Sequence, residues 1–233
     1  SADISKGEHV PLPRKVTSEI SLPITLNLLN LMSASTVHVI GATELIAQNK
    51  ELLRATELDP RFDRYLYKYA TGRRVPISYF LKILARLAID THDALLSPCF
   101  IISASGTGQL PASYTITPAL AKILGYLVSE GTIGKKVAMI SNLDPEVIQD
   151  VRRALTTLHV QHFLTPKSVV ISDIIFVKFL ATIGLQEKSA SKRIPSVIFE
   201  SPKDVQSAFL SAYFEGDGGV DGPAVTAVSK SKQ

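Results

Sequence analysis

Glu130 and Asp217 share an unusual setting. Each stands directly before a glycine and directly after a run of small and apolar residues, ILGYLVSEG (123–131) and LSAYFEGDG (210–218). Upstream of each acid, small residues recur every fourth position: Ala121, Gly125 and Ser129 in one segment, Ala208, Ala212 and Gly216 in the other. Residues four apart lie on one face of a helix. Each set is therefore a stripe along which a second helix can approach backbone to backbone. Each acid follows the first residue of its stripe by nine positions, 130 − 121 and 217 − 208. Stripe packed on stripe about a pseudo-twofold axis brings the two carboxylates together at the helix ends. Two carboxylates held close repel unless a cation bridges them or one is protonated. Oxygen ligands, with waters and a substrate phosphate in the remaining positions, suit Mg2+ (or Mn2+). A metal held so can activate a water and stabilise the leaving oxygen in phosphodiester hydrolysis. The negative C-terminal ends of the helices favour the same cation.

Other readings of these residues are simpler. One helix ending in Glu-Gly or Asp-Gly is an ordinary stop; a second with the same stripe register and the same following pattern is harder to obtain by chance. The stretch EGDGGVDG (215–222) resembles part of a calcium loop but lacks the closing bidentate glutamate. His159 and His162 have an H-x-x-H spacing, which without further ligands marks ordinary surface or core histidines. The single Cys99 excludes an internal disulfide and leaves zinc short of ligands.

The elements that must position the acids are legible in the caps. Thr117 with Pro118, and Asp144 with Pro145, are N-cap and first-turn pairs. TIGKKVAMIS and FLTPKSVVIS read as hairpins, and DIIFVKFLATIGL as a helix. The order is αββαββα over 117–203, and the succession starts again over 204–233. Residues 1–36 read as short extended pieces around Pro11 and Pro13. Residues 37–98 read as helical, with apolar residues at Leu45, Ile46, Leu52 and Leu53 in a first segment and Phe80, Ile83, Leu84 and Leu87 on one face of a later one. Two short helices around Gly72, carrying Arg64, Lys68, Arg73 and Arg74, suit a DNA-binding helix-turn-helix; a plain helical hairpin with solvated charges is the competing reading. Residues 99–116 read as a linker. The fold class expected is α+β.

The 233 residues are 45% hydrophobic, enough for a real core, and the formal net charge of +4 is compatible with nucleic-acid binding without requiring it. The most apolar segment, SVVISDIIFVKFLATIGL, is interrupted by Asp173 and Lys178, so no membrane span is expected. A soluble protein of a reducing compartment is expected.

The two nine-residue segments resemble the motif that names the LAGLIDADG homing endonucleases, in the dodecapeptide form found inside inteins. KRIPSVIF (192–199) resembles the block between those motifs, GEHVPLPRK (7–15) an intein segment that follows the N-terminal splicing blocks, and GRRVPISYFLKIL (72–84) the accessory helical region of archaeal inteins. The resemblance touches nearly the whole chain. It implies a site-specific, Mg2+-dependent cut of both strands of a long double-stranded DNA site, within a protein-splicing element of a prokaryotic, archaeal-like cytoplasm. Glu130 and Asp217 would be the metal-binding acids, and Lys192 would polarise a water or stabilise developing charge. The strands after each acid would form a DNA saddle, with Arg73, Arg74, Lys135, Lys136, Lys230 and Lys232 as DNA contacts. Residues 1–36 would be a splicing-domain remnant, 117–203 the first repeat and 204–233 the start of a second. Only 16 residues follow Asp217, and the chain ends in Lys232-Gln233 without the His-Asn of splicing. By this resemblance the chain is a fragment, pseudo-symmetric and monomeric only when complete, neither splicing nor cutting well alone. A non-catalytic DNA-binding regulator on the same scaffold is the alternative, and a metal-free packing module a third.

Overall fold

A computed structural model describes residues 22–54, 60–93, 96–106, 108–185, 193–221 and 224–227, with the side chains at 60–63, 217–221 and 224–227 excepted. The expectations for residues 1–21 therefore lie outside the described residues. The architecture is α+β with antiparallel sheets.

The first part of the chain runs β1 (Thr25–Asn27), α1 (Leu28–Leu31), β2 (Val37–Ile40), α2 (Thr43–Gln48), α3 (Lys50–Arg54), α4 (Pro60–Ala70), β3 (Val75–Pro76), α5 (Ile77–Arg86), β4 (Phe100–Ser103), β5 (Gln109–Pro111) and β6 (Ser113–Thr115). One sheet has the order β3-β2-β4-β5, and β1 pairs with β6. Prolines 76 and 111 sit in the two edge strands, where a missing N–H breaks no ladder. Two expectations are corrected here. The segment 37–98 is not purely helical, because β2 and β3 pair within it. Residues 99–116 are not a linker: they carry β4, β5 and β6, and Cys99, Ile101, Leu110, Tyr114 and Ile116 are buried. The alternation Leu110, Ala112, Tyr114, Ile116 is a half-buried strand pattern, broken only by the connection rich in glycine and serine before it.

The second part follows the expected order. It runs α6 (Pro118–Ser129), β7 (Gly131–Ile133), β8 (Ala138–Ser141), α7 (Pro145–Thr157), β9 (His162–Thr165), β10 (Ser168–Ile171) and α8 (Ile174–Thr182). The Thr117 side chain accepts from the Leu120 N–H at 3.3 Å, and the Asp144 side chain from the Glu146 N–H at 2.8 Å. The sheet order is β7-β8-β10-β9, all antiparallel. On β8 the alternate residues Ala138 and Ile140 are buried, as the period of two requires, whereas all four residues of β10 are buried. Then come α9 (Ser196–Phe199), α10 (Lys203–Asp217) and a paired β11 (Gly218–Asp221) and β12 (Ala224–Ala227).

One continuous apolar core joins both parts. Tyr114 on β6 meets Phe179 on α8 edge to face at 5.2 Å, and Lys178 donates to the Thr36 carbonyl at 3.0 Å. The cost of this junction is visible in its polar groups. Among the described residues the buried Tyr114 hydroxyl has no hydrogen-bond partner, and burial followed by the charge of Asp173 pushes it up to about 12. Among the described residues no helix is long and apolar enough to cross a membrane.

Candidate metal and nucleic-acid site

Helix α6 is covered on nearly all sides, with Leu120, Ala121, Ile123, Leu124, Gly125, Tyr126 and Leu127 buried. Its small stripe lies against α10. A Cβ on Gly125 would fall 2.5 Å from the Phe209 carbonyl oxygen, 2.9 Å from the Ala212 Cβ and 3.0 Å from the Tyr213 nitrogen. Those are backbone and near-backbone atoms, so only a glycine fits. At the far end, a Cβ on Gly216 would overlap the Ser129 side chain and come within 3.1 Å of the Glu130 Cγ. Gly125 faces Ala212 and Ser129 faces Gly216, both at an offset of 87 (212 − 125 and 216 − 129). The two helices therefore run in the same direction with equivalent positions in contact. Ala121 and Ala208 share that offset; Ala121 is buried and Ala208 partly so.

This packing ends at the acids. Glu130 is the C-cap of α6. Its Oε2 accepts a 2.7 Å hydrogen bond from the Asn142 side-chain amide. Asp217 is the last residue of α10, so its backbone leaves the helix beside Glu130; its side chain is not among those described. Tyr126, one turn before Glu130, donates to Asp150 at 3.1 Å, and Lys122 donates to both oxygens of Asp150 at 2.7 and 2.9 Å. Burial, then Asp150, then the charges of Glu215 and Glu130 hold the Tyr126 phenol well above its usual range. Three carboxylates, Asp150, Glu215 and Glu130, thus lie near enough to act on the Tyr126 phenol, with Asp150 paired to Lys122. Among the described residues no group of three or more His, Cys, Asp or Glu side chains is placed to hold a metal ion. The donors that can be assigned at the junction are the Glu130 carboxylate and, by its backbone position, Asp217.

The other expected residues are scattered. Lys135 and Lys136 are exposed in the turn between β7 and β8. Arg73 and Arg74 are exposed where the chain passes from α4 to β3. The Arg73 guanidinium lies over the Tyr65 ring at 5.2 Å, and Arg74 reaches the carbonyls of Ser103 and Ala104 at 3.5 and 3.4 Å. The helix-turn-helix expected here is corrected, since Val75 and Pro76 between its two helices pair with β2 instead of forming a free turn. Lys192, Lys230 and Lys232 lie outside the described residues. The His159/His162 pair is structural: His159 takes a positive φ of 55° after α7, and His162 Nδ1 sits 2.8 Å from the Val160 carbonyl, to which it donates. Sequence reasoning missed Asn142, Tyr126, Lys122 and Asp150. Only Asn142 carried a local signal, as the first residue of a turn leading into the Asp144-Pro145 helix start.

No protein-family model matches the chain. Across 99% of its length it is 25% identical, over 240 aligned residues, to a segment of the DNA polymerase II large subunit of Thermococcus kodakarensis. It is 36% identical over 115 residues, 45% of the chain, to a DNA polymerase of the same organism. It is 25% identical over 165 residues, 65% of the chain, to an A-type ATP synthase subunit of Pyrococcus horikoshii. The chain spans only 13%, 7% and 17% of these relatives' own lengths.

Proposed function

We propose that this chain belongs to an intein-borne, Mg2+-dependent, site-specific DNA endonuclease of the LAGLIDADG type. The observation that carries the reading is the parallel contact of α6 and α10, which ends with Gly216 against Glu130 and so sets Asp217 beside it. The antiparallel sheet that begins at Gly131 and the hairpin that begins at Gly218 both leave this junction, as the two halves of a DNA saddle would. The comparisons support an inserted element. The matching segments occupy small parts of proteins whose names share no activity, a DNA polymerase and an A-type ATP synthase.

On this reading Glu130 and Asp217 would hold Mg2+ or Mn2+, and Lys192 would serve the developing charge. The bound ion supplies an activated water and charge neutralisation at the scissile phosphate. The chain's own contribution is placement. The helix contact sets the separation of the two acids, and the exposed Lys135 and Lys136, with Arg73, hold phosphates.

The test is Asp217→Asn, assayed in Mg2+ on a random-insert plasmid library, in this chain and in the longest form its gene encodes. Loss of double-strand cleavage with DNA binding retained is expected. Unchanged cleavage refutes the acid assignment. DNA binding without cleavage in parent and variant alike favours the non-catalytic regulator.

A further inference from the structure

We infer that Asn142 is a positioning residue that aims the Glu130 carboxylate at the junction of α6 and α10, an inference that rests on the reading of Glu130 as a metal-binding acid. The hairpin geometry brings the two together. Gly131 pairs with Ile140 across β7 and β8, so the chain leaving β8 returns level with the end of α6. Asn142 makes two hydrogen bonds there. Its Oδ1 accepts from the Asp144 N–H at 2.7 Å, and its Nδ2 donates to Glu130 Oε2 at 2.7 Å.

These partners settle which way the amide points. A backbone N–H can only donate and an ionised carboxylate can only accept, so a single orientation of the Asn142 amide satisfies both. The bond to the turn anchors the amide, and the anchored amide holds the acid. Glu130 needs such a hold, because a glutamate has more rotatable bonds than an aspartate and loses more freedom when fixed. Gly216 also lies against this side chain, where even a Cβ would approach Glu130 Cγ to 3.1 Å.

The chemistry of the holder matters. A lysine or arginine at 142 would fix the carboxylate equally well, but its charge would compete with a metal cation for the same oxygens. A neutral amide orients the acid and leaves its charge in place. The turn alone does not require asparagine, since a serine oxygen can accept from the same N–H. The Nδ2 donor is therefore the part of Asn142 that the turn does not explain.

The experiment uses the whole 233-residue chain and Tb3+ as the probe, read by tyrosine-sensitised luminescence and by competition with Mg2+. Parent, Glu130→Gln and Asn142→Ser are compared. Asn142→Ser keeps a turn acceptor but cannot reach Glu130. Loss of Tb3+ binding is expected in Glu130→Gln, and about tenfold weaker binding in Asn142→Ser, the range found when an outer partner of a metal ligand is removed. Its metal-free melting temperature should stay close to the parent's. If Asn142→Ser binds Tb3+ as tightly as the parent while Glu130→Gln does not bind, the positioning role is wrong and the metal reading stands. If parent and Glu130→Gln bind alike, or neither binds, the metal reading falls and this inference with it. A second measurement needs no variant at 142: the Asn142 side-chain amide resonance should shift on Glu130→Gln, and an unmoved resonance overturns the proposal.

Discussion

Gly125→Ala tests whether the α6–α10 contact sets the acids' separation. The added Cβ would lie 2.5 Å from the Phe209 carbonyl oxygen and 3.0 Å from the Tyr213 nitrogen. The shorter distance is about 1 Å inside ordinary contact. Neither obstacle can rotate aside, because both belong to the backbone of α10. Overpacking a well-filled site costs about 1–3 kcal/mol, and a backbone obstacle places this case in the upper half of that range. Alanine returns about 1 kcal/mol of helix propensity over glycine. The net expectation is a loss of about 1–2 kcal/mol, and at about 2–4 °C per kcal/mol for a chain of this size the melting temperature falls by several degrees. The assay is thermal unfolding by circular dichroism, with Ser207→Ala on the exposed face of α10 as a control in which only propensity changes. A Gly125→Ala protein as stable as the parent, or more stable, would refute the close approach. The argument that brings Glu130 and Asp217 together would fall with it.

Gly216→Ala should destabilise the chain by about 1 kcal/mol by overpacking, because the new Cβ would meet the Ser129 Cβ at 2.8 Å. Adding Ser129→Gly should recover part of that loss, and additive effects in a double-mutant cycle would show that the two positions do not touch. Stability should fall on the alkaline side. Tyr114, pushed up to about 12, and Tyr126, raised further, keep their protons in the folded state while the unfolded chain ionises near 10. The unfolded state then binds fewer protons, so unfolding is favoured by about 1.4 kcal/mol per pH unit for each such phenol between pH 10 and 12. Denaturant midpoints that stay flat over that window would contradict the burial of both hydroxyls. Cys99 is buried, and burial pushes its thiol up to about 11. A thiol reagent at pH 8 should therefore label it at the rate of protein opening, and labelling as fast as a free thiol would place it at the surface.

What the sequence determined by itself is local. Thr117-Pro118 and Asp144-Pro145 start helices because a capping oxygen and its N–H partner lie within three residues of each other. The two hairpins were legible for the same reason. The small stripes, each visible within nine residues, also gave two helices a reason to touch. Which residues meet across the chain was decided only by the tertiary structure. Residues 99–116 contain glycines, serines and a proline that read as a connection. They become strands because β2, about sixty residues earlier, offers β4 a partner edge. The basic pair at 73 and 74 read as free for DNA, yet Arg74 reaches two carbonyls of a strand end thirty residues away. Asn142 went unread in the sequence, and the hairpin register alone carries its amide to Glu130. A cap or a period lies inside a short window of sequence, whereas a strand partner, a helix neighbour or a hydrogen bond across the fold exists only once the core has drawn distant segments together.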